Sequence, residues 1–126
     1  MPEKVATFSA NGGPLEVEIV IGQIKRGNFE ISLFDRNGEN LQVEEDRNGR
    51  GISYKYLLEP TLEVLNGALL MWNVIIKAAT TQVGQRWSVT LIVTQDGRPI
   101  EDGIIPNSGD FEIVTIMDDE MRLRSR

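Results

Sequence analysis

The chain has 126 residues, 13 Lys and Arg against 19 Asp and Glu, a formal net charge of −6, and neither His nor Cys. That length suits one domain able to bury about 65–70% of the surface its unfolded chain exposes, without a disulfide or metal staple. The missing residue types exclude a Ser-His-Asp triad, a thiol nucleophile, an imidazole base and the usual zinc, haem and iron–sulfur sites, and the acidic balance disfavours nucleic acid and anionic membranes as partners.

At the start of the chain, Met1-Pro2-Glu3-Lys4-Val5 carries no apolar stretch behind a basic start, so no secretory signal is expected. Leu15, Val17, Ile19 and Ile21 alternate with Glu16 and Glu18, the period of a strand with one buried and one wet face. Gly22 interrupts, and Ile24 falls on the opposite phase, which predicts a bulge. Phe29, Ile31 and Leu33 alternate with Glu30 and Ser32, and a strand over Leu41–Glu45 follows. Ile52, Tyr54, Tyr56 and Leu58 then alternate with Ser53 and Lys55.

Residues 61–79 read two ways. As a hairpin, Thr61–Leu65 and Ala68–Lys77 turn on Asn66-Gly67, and Ala68–Ile76, apolar on both phases, becomes a central strand covered on both faces. As a helix, Leu62, Leu65, Leu69, Trp72 and Ile76 recur at spacings of three and four after Pro60-Thr61. Gly67 inside a helix costs about 1 kcal/mol relative to Ala, and Val74-Ile75-Ile76 prefers a pleated strand, so the hairpin is preferred. Either way the run falls short of the ~20 residues that a membrane-spanning helix needs.

Trp87, Val89, Leu91 and Val93 alternate with Ser88, Thr90, Ile92 and Thr94. Residues 96–110 read as a long loop, Phe111–Met117 as the last strand and Asp118–Arg126 as a charged tail. Composition agrees with strands throughout, with 10 Val, 13 Ile and 7 Thr against five Ala. Asn-Gly at 11–12, 37–38, 48–49 and 66–67 supplies the positive φ that tight reversals require. The expectation is one domain over residues 1–117 with a tail at 118–126. Its fold is an all-β antiparallel sandwich, immunoglobulin-like or jelly-roll-like, of about eight or nine strands. A small β-barrel, or a sandwich with one helix at 61–79, is the alternative.

Two identical motifs, Asp35-Arg36-Asn37-Gly38 and Asp46-Arg47-Asn48-Gly49, invite a calcium reading. The loop from Asp35 departs from the EF-hand pattern, with Asn40 where Gly is required and Asp46 where Glu is required. As hairpin turns on either side of a five-residue strand they lie about 17 Å apart, so they read as turns capped by Asp rather than as one site.

Counting reversals gathers Lys25-Arg26-Gly27, Asp46–Gly51, Asn66-Gly67 and the 96–110 loop at one end of the domain. There Asp46, Asp96, Glu101, Asp102 and Asp110 converge as candidate ligands for a cation or a polyhydroxylated molecule, and loops of this length are often functional. Tyr54 and Tyr56, on one strand face, are candidate stacking residues for a sugar. No catalytic residue, metal site or cofactor is assigned. The sequence therefore reads as a non-catalytic, cytoplasmic interaction or assembly module that binds a protein partner or copies of itself. The alternative is a carbohydrate- or calcium-binding module using the 96–110 loop. A glycosidase-like pair of carboxylates is disfavoured because no pair is singled out by spacing.

Overall fold

A computed structural model describes residues 3–22, 27–46, 53–77, 86–110, 112 and 114–126. Its elements are β1 (Val5–Phe8), β2 (Leu15–Gly22), β3 (Gly27–Phe34), β4 (Asn40–Asp46), β5 (Ser53–Leu57), the single helical turn α1 (Leu62–Leu65), β6 (Leu69–Lys77), β7 (Arg86–Gln95), β8 (Arg98–Asp110) and β9 (Val114–Ser125). The nine strands form one mixed sheet in the order β4-β3-β6-β9-β1-β8-β7-β2-β5, curled into a nearly closed, barrel-like form. A side chain bridges its two edge strands: Gln42 on β4 donates from Nε2 to Leu57 O at 2.9 Å and accepts from Glu59 N at 3.0 Å. Among the described residues, no helix is long and apolar enough to cross a membrane.

The expectation of a purely antiparallel sheet is corrected at one pair. β1 runs parallel to β9, with Val5 beside Arg122 and Phe8 beside Ser125. β8 and β9 follow each other in the chain and run in opposite directions, so a strand inserted between them must be parallel to one of the two. The insertion is narrow on the other side, where β1 meets β8 at Thr7 and Glu101.

Strands with a clean two-residue period form as their patterns demand. β2 buries Leu15, Val17, Ile19 and Ile21, and β7 buries Trp87, Val89, Leu91 and Val93, the two strands pairing from Leu15–Gln95 to Gly22–Ser88. Gly22 continues the ladder opposite Ser88, and the bulge expected between it and Ile24 falls on residues outside those described. A bulge occurs in β8, where the pairing with β7 jumps from Ile92–Ile104 to Thr94–Pro99 and Asp102 takes φ +57°.

Residues 61–79 combine the two readings. Thr61 caps α1, its Oγ1 accepting from Val64 N at 3.4 Å, so the first hairpin arm is corrected to a helical turn. Gly67 at φ +91° then redirects the chain into β6, which holds the expected second arm up to Lys77; residues 78 and 79 lie outside the described residues. β6 is central, between β3 and β9, but it is covered on one face alone, with Leu70, Trp72, Val74 and Ile76 buried and Met71, Asn73 and Ile75 outward.

Two larger corrections concern the C-terminal third. Residues 98–110 are a strand, not a loop, and the reversal before them needs two residues, Asp96 and Gly97, at φ +54° and +78°. The segment from Asp118 to Ser125, read as a tail, is the second part of β9, held by the inward side chains of Met117, Met121 and Leu123. Phe111 and Ile113 lie outside the described residues.

Gln95 is the one polar residue recorded as buried among those described, and it clamps the β1–β2 connection. Its Oε1 accepts from Ser9 N at 2.9 Å, while Nε2 donates to Ser9 O at 2.8 Å and Gly13 O at 2.9 Å. Such pairing of a buried amide offsets its desolvation.

Candidate functional site

The five expected carboxylates do not converge. Asp96 lies at the sheet end marked by Leu15, and Asp110 at the end marked by Gly22, since β7 pairs Gln95 with Leu15 at one end and Arg86 with Asp110 at the other. Along β8 that separation approaches about 40 Å. Three of the acids have local work: Asp96 accepts from Gly13 N at 3.1 Å, Glu101 pairs with Arg126 at 3.0 Å, and Asp110 pairs with Arg86 at 3.6 Å. Asp102 sits at the β8 bulge, exposed. Among the described residues no group of three or more His, Cys, Asp or Glu side chains is arranged to hold a metal ion. The reversal count failed because it omitted β1 and β8, and residues 25–26 and 47–51 of the expected cluster lie outside the described residues.

Three of the expected residues do meet, at the seam between the edge strands. Tyr54 and Tyr56 on β5 pack against Phe29, with ring centroids 4.9 and 6.2 Å away. Asp46 on β4 pairs with Phe29, which carries it and Glu44 to the same seam. Burial pushes the Tyr56 hydroxyl above the ordinary phenol value, and the charges of Glu44 and Asp46, with Tyr54, push it further the same way. At neutral pH Tyr56 is therefore a hydrogen-bond donor beside two carboxylates.

A second polar node ties β1, β8 and β9 together. Asp119 accepts from Lys4 Nζ at 2.5 Å, from Asn107 Nδ2 at 3.0 Å and from Glu120 N at 2.9 Å. Burial raises its pKa, but those hydrogen bonds and the Lys4 charge outweigh it, and the net value is lowered.

The largest feature is the outward face of β4, β3, β6 and β9. Register aligns Phe34, Leu69 and Arg122 in one row, Ser32, Met71 and Glu120 in the next, then Glu30, Asn73 and Asp118, then Ile75 with Ile116. Of eight exposed large apolar side chains recorded among the described residues, five stand on this face: Val43, Met71, Ile75, Val114 and Ile116, the last 69% exposed. Two hollows share Phe34 and Met71. One, about 590 Å³, runs towards Glu30, Asp118 and Glu120; the other, about 310 Å³, runs towards Arg36, Leu69 and Arg122. The face therefore carries two apolar patches, one of Phe34, Leu69 and Met71 beside Arg36 and Arg122, the other of Ile75, Val114 and Ile116, with the acidic row of Glu30 and Asp118 between them.

Sequence reasoning missed this face, although its signal was present. Ala68–Ile76 is apolar on both phases, a pattern that predicts burial on both faces; the outward phase is open instead. No protein-family model matches the chain, and no curated protein or solved structure matches it either.

Proposed function

We propose that the protein is a non-catalytic interaction or assembly module that binds a protein partner, or copies of itself, through the outward face of β4, β3, β6 and β9. The observation that carries this reading is the concentration there of five of the eight exposed large apolar side chains recorded among the described residues, since clustered apolar surface beside charge marks sites of association. The test is a photo-crosslinking residue placed at position 116 in the full chain expressed in cells, with position 88 on the outward face of β7 as control. Adducts in clear excess at 116 are expected; equal yields at the two positions overturn the reading.

A carbohydrate-binding role is the second reading, moved from the 96–110 segment to the seam, because Asp46, Tyr54 and Tyr56 meet there around Phe29. Aromatic faces beside carboxylates suit a polyhydroxylated ligand. A thermal melt with a glycan panel should show a shift that Tyr56→Phe diminishes; no shift with any glycan removes this reading. For architecture, the unbroken strand order and the Gln42 bridge support a small barrel over an immunoglobulin-like or jelly-roll-like sandwich, which draws its support from the single Thr7–Glu101 link between β1 and β8. A cytoplasmic setting is proposed from the cysteine-free composition alone.

A further inference from the structure

We propose that Asn37, on the exposed β3–β4 turn, is a self-modification site that converts to aspartate and isoaspartate faster than the other described Asn-Gly pairs. The inference goes beyond the interaction reading and needs no partner.

The chemistry is intrinsic to Asn followed by Gly. The glycine amide nitrogen attacks the asparagine Cγ, the Cγ–Nδ2 bond breaks, and ammonia leaves with the proton that the glycine nitrogen gives up. Water then opens the cyclic imide. Breaking the bond from the glycine nitrogen to Cγ yields aspartate. Breaking its bond to the main-chain carbonyl carbon yields isoaspartate, whose chain runs through Cβ and Cγ. Glycine hinders the attack least because it lacks Cβ. The fold controls access. The asparagine side chain must swing onto the glycine nitrogen, and that nitrogen must give up its own hydrogen bond, so the rate follows the cost of local opening.

The three described pairs differ in that cost. Asn66-Gly67 is locked from several sides: Gly67 N donates to Leu123 O at 2.8 Å, Asn66 Oδ1 accepts from Ser125 N at 3.0 Å, and Asn66 N donates to Leu62 O at 3.1 Å. Arg122 Nη1 also donates to Gly67 O at 2.8 Å. Freeing this pair means detaching the end of β9. Asn11-Gly12 is clamped from one side. Its turn bond, Gly12 N to Ser9 O, is long at 3.2 Å, but Gln95 donates to Gly13 O and Asp96 accepts from Gly13 N. Gly12 itself lies so close to Gln95 that a Cβ there would stand 2.5 Å from Nε2.

Asn37-Gly38 escapes both restraints. Asn37 is exposed, and among the described residues its side chain has no recorded hydrogen-bond partner. Gly38 N donates to Asp35 O at 3.0 Å, a bond confined to the turn. Gly38 takes φ +86°, with nothing within 4 Å of where a Cβ would lie. The other restraints, from Asn37 N and Glu39 N to Asp35 Oδ1 at 2.8 and 2.9 Å, are local to the same turn. The product carboxylate adjoins Arg36, which lines the smaller hollow of the outward face, so the conversion changes the charge there.

Peptide mapping of the full chain during incubation in mildly alkaline buffer tests this, since the four Asn-Gly pairs fall on different tryptic peptides. Mass spectrometry reads each amide-to-acid conversion, and fragmentation separates aspartate from isoaspartate. Asn37 is expected to convert first and Asn11 more slowly. Asn66 should lag Asn37 by at least about tenfold, which corresponds to about 1.4 kcal/mol of extra opening cost. In denaturant the three rates should converge, with Asn66 accelerating most. Asn66 or Asn11 converting as fast as Asn37 in the folded chain, an intact Asn37 in a folded chain whose denatured form reacts, or an unchanged order in denaturant would each overturn the proposal.

Discussion

The outward faces of the two halves of the sheet differ more than their inner faces do. Inside, β2 and β7 contribute Leu15, Val17, Ile19, Val89, Leu91 and Val93, and β6 and β9 contribute Leu70, Trp72, Val74, Ile76, Met117 and Met121, all buried. Outside, β2, β5 and β7 present Glu16, Glu18, Ser53, Lys55, Ser88, Thr90 and Thr94, with Ser53 Oγ donating to Glu18 at 2.5 Å across the β5–β2 pair. The outer surface of β6 and β9 carries Met71, Ile75, Val114 and Ile116 between its charges. One half presents mostly polar side chains, with Leu57 its exposed apolar residue, and the other keeps more apolar surface, whose desolvation would favour a partner.

Three measurements press on that contrast. The largest effects belong to the shared interior. Leu70→Ala in β6 and Leu91→Ala in β7 should each cost about 2–5 kcal/mol in denaturant unfolding, because both side chains are fully buried. A large loss in one half with almost none in the other would show that the inner faces are not equivalent.

Next comes the node that joins the halves. The folded pKa of Asp119 lies below its unfolded value near 3.9, so its contribution is present above about pH 4 and is lost as pH falls through the folded value. Asp119→Asn should lower stability at pH 5 and bring the values at pH 5 and pH 3 closer together. An acid dependence unchanged by the substitution would mean that other carboxylates govern it.

The smallest effect on stability, and the sharpest on the contrast, is outside. Ile116→Ser should change unfolding free energy by no more than about 0.5 kcal/mol while reducing association at that face. Thr90→Ser on the other half should alter neither. Equal loss of association in both variants would erase the distinction between the faces.

β2, β3 and β7 were legible because most of their outward positions are polar, Glu16 and Glu18, Glu30 and Ser32, and Ser88, Thr90 and Thr94, so a period of two stands out in the sequence. β8 hid behind Pro99, Gly103, Pro106 and Gly109, residues that weaken strand propensity. It is a strand because β7 offers a long edge and because the glycines leave room for close neighbours. A Cβ on Gly109 would lie 2.9 Å from the Trp87 ring, and one on Gly103 would lie 2.5 Å from the Ile100 side chain. β1 spans Val5–Phe8, too short to show a period, and its place between β9 and β8 depends on contacts with residues far away in the chain. The seam was half legible: the two tyrosines share a strand face by spacing alone, whereas Asp46 joins them through its pairing with Phe29.

By itself, the amino-acid sequence determined that this is a strand-built chain with a tight reversal at Asn37-Gly38 and no His or Cys chemistry, because alternation and composition act locally. The tertiary structure decided which acids remain apart, which strand runs parallel, and which apolar residues face outward. Those outcomes depend on long-range register, and a two-residue period marks two faces without saying which of them another layer will cover.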